Sequence, residues 1–227
     1  MPTWSFGGQV PGPEIRVRAG QNLQALLVNR LPVETTVHWH GVAIRNDMDG
    51  VPGMTQAPVP AGQEFAYSFA VAKPGTYWYH PHVGVQLDRG LYGPLIVEDP
   101  AEPADYDHDW TVVLDDWIDG TGYTPDQVLD ALRNGMGRMS MAAASPSPTP
   151  MMSSMGGMDG PSPVLSGARS TLLGGDAGDV RYPWYLINGR VRTAPGPLPP
   201  APASGPESAS STPPPTLASA SPWAVTR

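Results

Sequence analysis

Between Trp4 and Pro100 the apolar residues never settle into a helical spacing; they come in short β-favouring runs cut apart by Gly and Pro. The runs are Glu14 to Arg18, Leu23 to Val28, Thr35 to Val42, Phe65 to Val71, Thr76 to His82 and Leu91 to Glu98. Pro11-Gly12-Pro13, Asp49-Gly50, Pro52-Gly53 and Pro74-Gly75 punctuate them. Strands this short and this close cannot bury an apolar face singly. The pattern therefore predicts an all-β fold, a Greek-key sandwich or barrel, over residues 1–105.

Downstream the pattern changes. Trp110 to Asp119 is a further apolar, β-rich run, and a helix is predicted from Pro125 to about Asn134. Thr124 is its cap, Pro125 its first residue, Gln127 the capping-box partner and Gly135 its stop. Tyr182 to Arg190 is strand-like again. Residues 106–190 thus read as the start of a second domain, interrupted at 136–179 by a Met-, Ser-, Pro- and Gly-rich insertion with too little to bury against its ordering entropy. Residues 191–227, almost wholly Pro, Ala, Ser and Thr, read as a disordered or out-of-frame tail without packed secondary structure.

Composition removes several functions. A net charge of −8 without a basic cluster argues against a nucleic-acid partner. No apolar run approaches the length of a membrane span, and the start Met1-Pro2-Thr3-Trp4 has neither the basic nor the apolar region of an export signal. The chain has no cysteine, which removes disulfides, thiolate nucleophiles and thiolate-ligated metals.

Four of the five histidines stand in two His-x-His pairs, His38-Trp39-His40 and His80-Pro81-His82. On a strand, residues i and i+2 share a face, so each pair can aim two imidazoles at one place, and two neighbouring strands can converge four. All-imidazole convergence suits copper, zinc, iron or nickel. Histidines satisfied by ordinary hydrogen bonds and a zinc hydrolase are the alternatives. A cupin would want a Glu shortly beyond the second histidine, where Gly41-Val42-Ala43-Ile44-Arg45 stands.

The segments HWHG (His38 to Gly41), DGVPG (Asp49 to Gly53), PAGQEFAYSF (Pro60 to Phe69), GTYWYHPH (Gly75 to His82) and GLYGPLIVE (Gly90 to Glu98) resemble the first cupredoxin domain of laccase-like multicopper oxidases. LDDW (Leu114 to Trp117) and YLINGR (Tyr185 to Arg190) resemble the opening of the second domain in bacterial three-domain members. The resemblance implies a cupredoxin-like sandwich and a copper cofactor. It makes His38 a ligand of type 2 copper, His40 and His80 ligands of one type 3 copper, and His82 a ligand of the other. Asp49 matches an acidic residue assisting proton delivery, a catalytic role; as a turn residue before Gly50 it has an equally simple reading. Trp39, Tyr77, Trp78 and Tyr79 are expected to pack the sandwich core.

The resemblance also shows what this sequence lacks. The family's type 1 copper needs Cys and two His from a last domain carrying His-x-x-His-x-His and His-Cys-His motifs, and neither motif is here; His108, the fifth histidine, matches no family role. The expected function is a copper-binding fragment with half of the trinuclear ligands. Its intact parent would take dioxygen and a reducing substrate, coupling one-electron oxidation of phenols or metal ions to reduction of dioxygen to water. A non-enzymatic copper-binding or copper-buffering protein is the alternative. Proteins of the resembled family are extracytoplasmic. Seven of the ten methionines lie between Met136 and Met158, where thioether sulfur would favour Cu(I). Shifting the reading frame near Val191 permits Ala-Arg-Pro-Gly-Gln-Arg across Pro200 to Gly205 and Phe-Arg-Val-Ala-Leu-Gly-Gly-His across Ser219 to Thr226. Both resemble second-domain strands of the family, which is the basis of the out-of-frame expectation.

Overall fold

A computed structural model describes residues 3–103, 105–142, 164, 169–171, 174–176, 178–191, 218–219 and 223–226. The strands are β1 (Ser5–Phe6), β2 (Ile15–Arg18), β3 (Asn22–Asn29), β4 (His38–His40), β5 (Glu64–Ala70), β6 (Gly75–His80), β7 (Gly93–Glu98) and β8 (Leu114–Trp117). The helix α1 (Pro125–Ala142) follows, then β9 (Arg169–Ser170), β10 (Gly175–Asp176), β11 (Trp184–Ile187), β12 (Arg190–Val191), β13 (Ala218–Ser219) and β14 (Trp223–Thr226). The chain divides into two compact units, Met1–Asp116 with Tyr185–Arg227, and Trp117–Trp184.

The first unit is a cupredoxin-like Greek-key sandwich. In one sheet the order is β2-β7-β6-β4, with β2 parallel to β7 and the other neighbours antiparallel. In the other, β5 runs antiparallel along β3 from Asn22↔Ala70 to Val28↔Glu64. Residues alternate in and out along β2 and β3, as strands with one buried face must. The inward residues, among them Leu23, Leu27, Tyr67, Phe69 and Leu95, pack with Trp39 and Tyr79 into one core. Trp39 is fully buried, its ring edge-on to Tyr67 at 5.5 Å and to Phe69 at 5.0 Å. Trp39 faces the core, so its neighbours His38 and His40 must face the other way.

Thr35 to Val42 forms a strand only at His38–His40. The reason is competing hydrogen bonding: the Val37 N–H donates to the buried Tyr67 hydroxyl, and Thr35 bridges Val59. The predicted run Thr76 to His82 ends at His80, because Pro81 has no N–H to give the ladder. Tyr182 to Arg190 resolves into a hairpin of β11 and β12, with Asn188 at φ 49° and Gly189 at φ 72°, the left-handed pair an Asn-Gly turn is built from.

The tail requires a correction. Residues 191–227 were expected to carry no packed secondary structure, yet β13 and β14 run parallel to β3, with Ala218↔Leu23 and Trp223↔Leu27, and β14 pairs antiparallel with β1. The expectation rested on the missing apolar period, whereas a strand of two to four residues needs only an open edge, and β3 presents one opposite β5. Residues 192–217, 220–222 and 227 lie outside the described residues.

In the second unit α1 starts as expected: the Thr124 N–H donates to Gln127 Oε1 at 2.8 Å, and the Gln127 N–H to Thr124 Oγ1 at 3.3 Å. It does not stop at Gly135 but runs to Ala142. Interior glycines cost about 1 kcal/mol each against alanine, and the residues between and after them, Met136, Arg138, Met139 and Met141, add little further cost, so the helix continues through Gly135 and Gly137. Part of the insertion expected to be unstructured is therefore helical. β9 and β10 pair within its later part, while Met151, Met152, Met155 and Met158 lie outside the described residues. No helix among the described residues is long and apolar enough to cross a membrane.

Candidate metal centre

The site grows out of one strand pair. In the β4–β6 ladder His38 stands opposite His80 and His40 opposite Trp78. Directly opposed residues share a face, and so do residues two apart, so His38, His40, Trp78 and His80 form a block on the face away from the core. His82 lies beyond the strand, where its backbone N–H donates to Thr36 Oγ1 at 3.2 Å.

Hydrogen bonds select the tautomers. His38 Nδ1 lies 2.8 Å from the Asp49 carbonyl oxygen and 3.2 Å from Asp49 Oδ1, so Nδ1 carries the proton and Nε2 keeps its lone pair. His80 Nδ1 likewise faces the Pro81 carbonyl at 3.0 Å, which leaves Nε2 free toward His40 Nδ1, 3.1 Å away. Ligand nitrogens of His38, His40 and His80 all lie within 4.8 Å of one another, the one such group among the described residues. His82 is outside that trio, but its ring centroid is 4.3 Å from that of His38 and 5.1 Å from that of His80. Two nitrogens bound to one ion at about 2 Å and roughly tetrahedral angles stand about 3.2 Å apart, so the His40–His80 spacing already fits a shared ion.

His80 is buried, His38 half-buried, and His40 and His82 exposed. Burial, reinforced by repulsion from His38, His82 and His40, pushes His80 down to about 4 against the opposing Pro81 carbonyl; burial and His38 also lower His82. The sign follows from linkage. The unfolded imidazole titrates near 6.5, so the metal-free fold is at full stability above that value and loses stability as pH falls toward about 4. Urea unfolding of the metal-free protein should show a lower midpoint at pH 5 than at pH 7.5, and His80→Gln should flatten that difference.

Asp49 closes the short turn Asn46–Met48, with both its carbonyl and its carboxylate toward His38. His108 is exposed beside Trp110, outside the histidine group. Among the aromatics expected in the core, Trp39 and Tyr79 are there and Tyr77 packs at its margin, but Trp78 is not. It stacks on His80 at 4.1 Å and His40 at 4.8 Å. Its position two residues before His80 carried the signal, since alternation places them on one face.

A family model described as multicopper oxidase matches residues 1–102. The chain is 46% identical over 192 residues to the multicopper oxidase MmcO of Mycobacterium tuberculosis, covering 85% of this chain and 35% of that protein. It is 42% identical over 116 residues to copper resistance protein A of Pseudomonas syringae, covering 51% and 19%. The crystal structure of a multi-copper oxidase from Pseudomonas thermotolerans is similar at 44% identity and a TM-score of 0.52, over 55% of this chain and 31% of that one. The chain thus spans 35% or less of the length of these relatives. The residues that match the multicopper oxidase family model, the first 102, are the ones that carry both histidine pairs.

Proposed function

We propose that His38, His40, His80 and His82 bind copper as half of the ligand set of a trinuclear cluster, His38 toward type 2 copper, His40 and His80 toward one type 3 copper, and His82 toward the other. The reading is supported above all by the 3.1 Å approach of His40 Nδ1 to His80 Nε2, with His38 beside them. Copper would supply one-electron redox chemistry and an affinity for dioxygen. The chain's own residues do the rest: Asp49 and Pro81 hold protons on the Nδ1 atoms of His38 and His80, keeping each Nε2 available as a donor. The Asp49 carboxylate, 3.2 Å from His38, is suited to hold a proton at the edge of the site. An intact parent would couple oxidation of phenols or metal ions to reduction of dioxygen to water.

The exposure of His40 and His82 favours a second reading, non-enzymatic copper binding or buffering, because an open site exchanges its ion readily. Copper loading of the purified 227-residue chain, with metal analysis, a visible spectrum and oxygen uptake on a phenolic substrate, tests both. We expect bound copper, no intense blue thiolate band and no sustained oxygen uptake by this chain alone. Failure to retain copper at neutral pH would overturn both readings, and sustained uptake abolished by His80→Ala would overturn the assignment of an inert half-site.

A further inference from the structure

We propose that Trp78 is a positioning residue for the metal ligands, its indole fixing the ring plane of His40. The inference rests on the copper reading above. The β4–β6 register makes a block with four corners, of which three are imidazoles and the fourth is Trp78. Indole has a donor N–H and no lone pair to offer a metal, so it fills that corner without competing for the ion. It contacts two ligands at once, stacked on His80 with 26° between planes and on His40 with 30°.

The ligands differ in what holds them. His38 has the Asp49 carbonyl and His80 the Pro81 carbonyl to set ring rotation. His82 has its backbone tied to Thr36. His40 is exposed, and among the described residues none of its hydrogen bonds reaches an oxygen; its Nδ1 meets only His80 Nε2 there. That contact disappears when an ion takes the space between the two nitrogens, because neither can then carry the bridging proton. Stacking on Trp78 is the restraint that survives metal binding. Ring stacking is a matter of shape, so phenylalanine should preserve it where alanine cannot.

Trp78→Ala should weaken copper binding roughly 10-fold, the low end of what loss of an outer ligand partner costs, and Trp78→Phe should recover most of it. Two further readouts separate positioning from general loosening. In a His40→Ala background Trp78→Ala should have no added effect. In the metal-free protein the His40 ring proton resonances, shifted by the indole ring current, should move toward free-imidazole values in Trp78→Ala, while those of buried Trp39 stay in place. If wild-type protein binds copper and Trp78→Ala binds it equally tightly, the positioning role is wrong and the copper reading stands. A loss that persists in the His40→Ala background, or that phenylalanine does not rescue, likewise overturns it. If wild-type protein binds no copper, the underlying reading fails instead.

Discussion

Alanine at position 80 should lower copper affinity at neutral pH by at least about 100-fold, more than alanine at His82. Removing an outer partner of a ligand already costs roughly 10–100-fold, so loss of a central ligand should cost no less. His80, like His38, has all three other imidazoles close by: its ring centroid lies 5.4 Å from that of His38, 5.3 Å from His40 and 5.1 Å from His82. It is also the buried member, at 6% exposure, already neutral at physiological pH and so paying no proton to bind an ion. His82 is exposed and stands outside the trio with converging nitrogens. The fold should tolerate the change, because what is lost lies at the rim of the core: the hydrogen bond to the Pro81 carbonyl, worth about 1 kcal/mol, with the approach to His40 and the stack on Trp78. Competition titration against a chelator, with urea unfolding of each variant, checks this. An effect of His82→Ala equal to that of His80→Ala would move the principal site to the His38–His82 side.

What the sequence revealed and what it hid divide along physical lines. Strand faces were legible because their period is local. The alternation that buries Trp39 and Tyr79 also turns His38, His40 and His80 outward, so the ligand face could be read from positions two apart. The register of β4 against β6 was not legible, since it depends on two segments far apart in sequence; it is register that puts Trp78 opposite His40 and makes it a neighbour of the site. Strand ends were misjudged where side chains intervene, as at Val37, whose N–H goes to Tyr67. The helix end was misjudged because Gly135 is a stop only when a left-handed cap is better than another turn, and here the following residues are good helix formers. The strands β13 and β14 were invisible to pattern reasoning for a different reason: their cause lies in the open edge of β3 rather than in their own composition. Asp49 remains doubly determined, a turn residue by position and a partner of His38 by contact.

The turn after Asp49 should be the most sensitive backbone position in the site. Gly50 is buried at φ 74°, a region that L side chains rarely occupy, and a Cβ built there would lie 2.0 Å from the Val37 carbonyl oxygen and 2.8 Å from the His38 nitrogen. Both neighbours are backbone and neither can step aside: the Val37 N–H is held by the Tyr67 hydroxyl, and His38 is laddered to His80. Gly50→Ala must therefore displace the turn itself, and with it the Asp49 carbonyl that orients His38. A left-handed alanine alone costs about 1–2 kcal/mol. With the backbone clash added, the loss should reach roughly 4 kcal/mol, which is exceptional for one methyl group. Gly53→Ala is the control, because Gly53 has a similar φ of 72° with nothing within 4 Å of a Cβ, and so it should lose only the conformational part. Urea unfolding of the two variants should separate them by about 2–3 kcal/mol, and only Gly50→Ala should also weaken copper binding, by about 10-fold as for other outer-partner losses. Equal losses in the two variants would mean that the close approach of the turn to β4 does not exist in solution, and the orientation of His38 would need another cause.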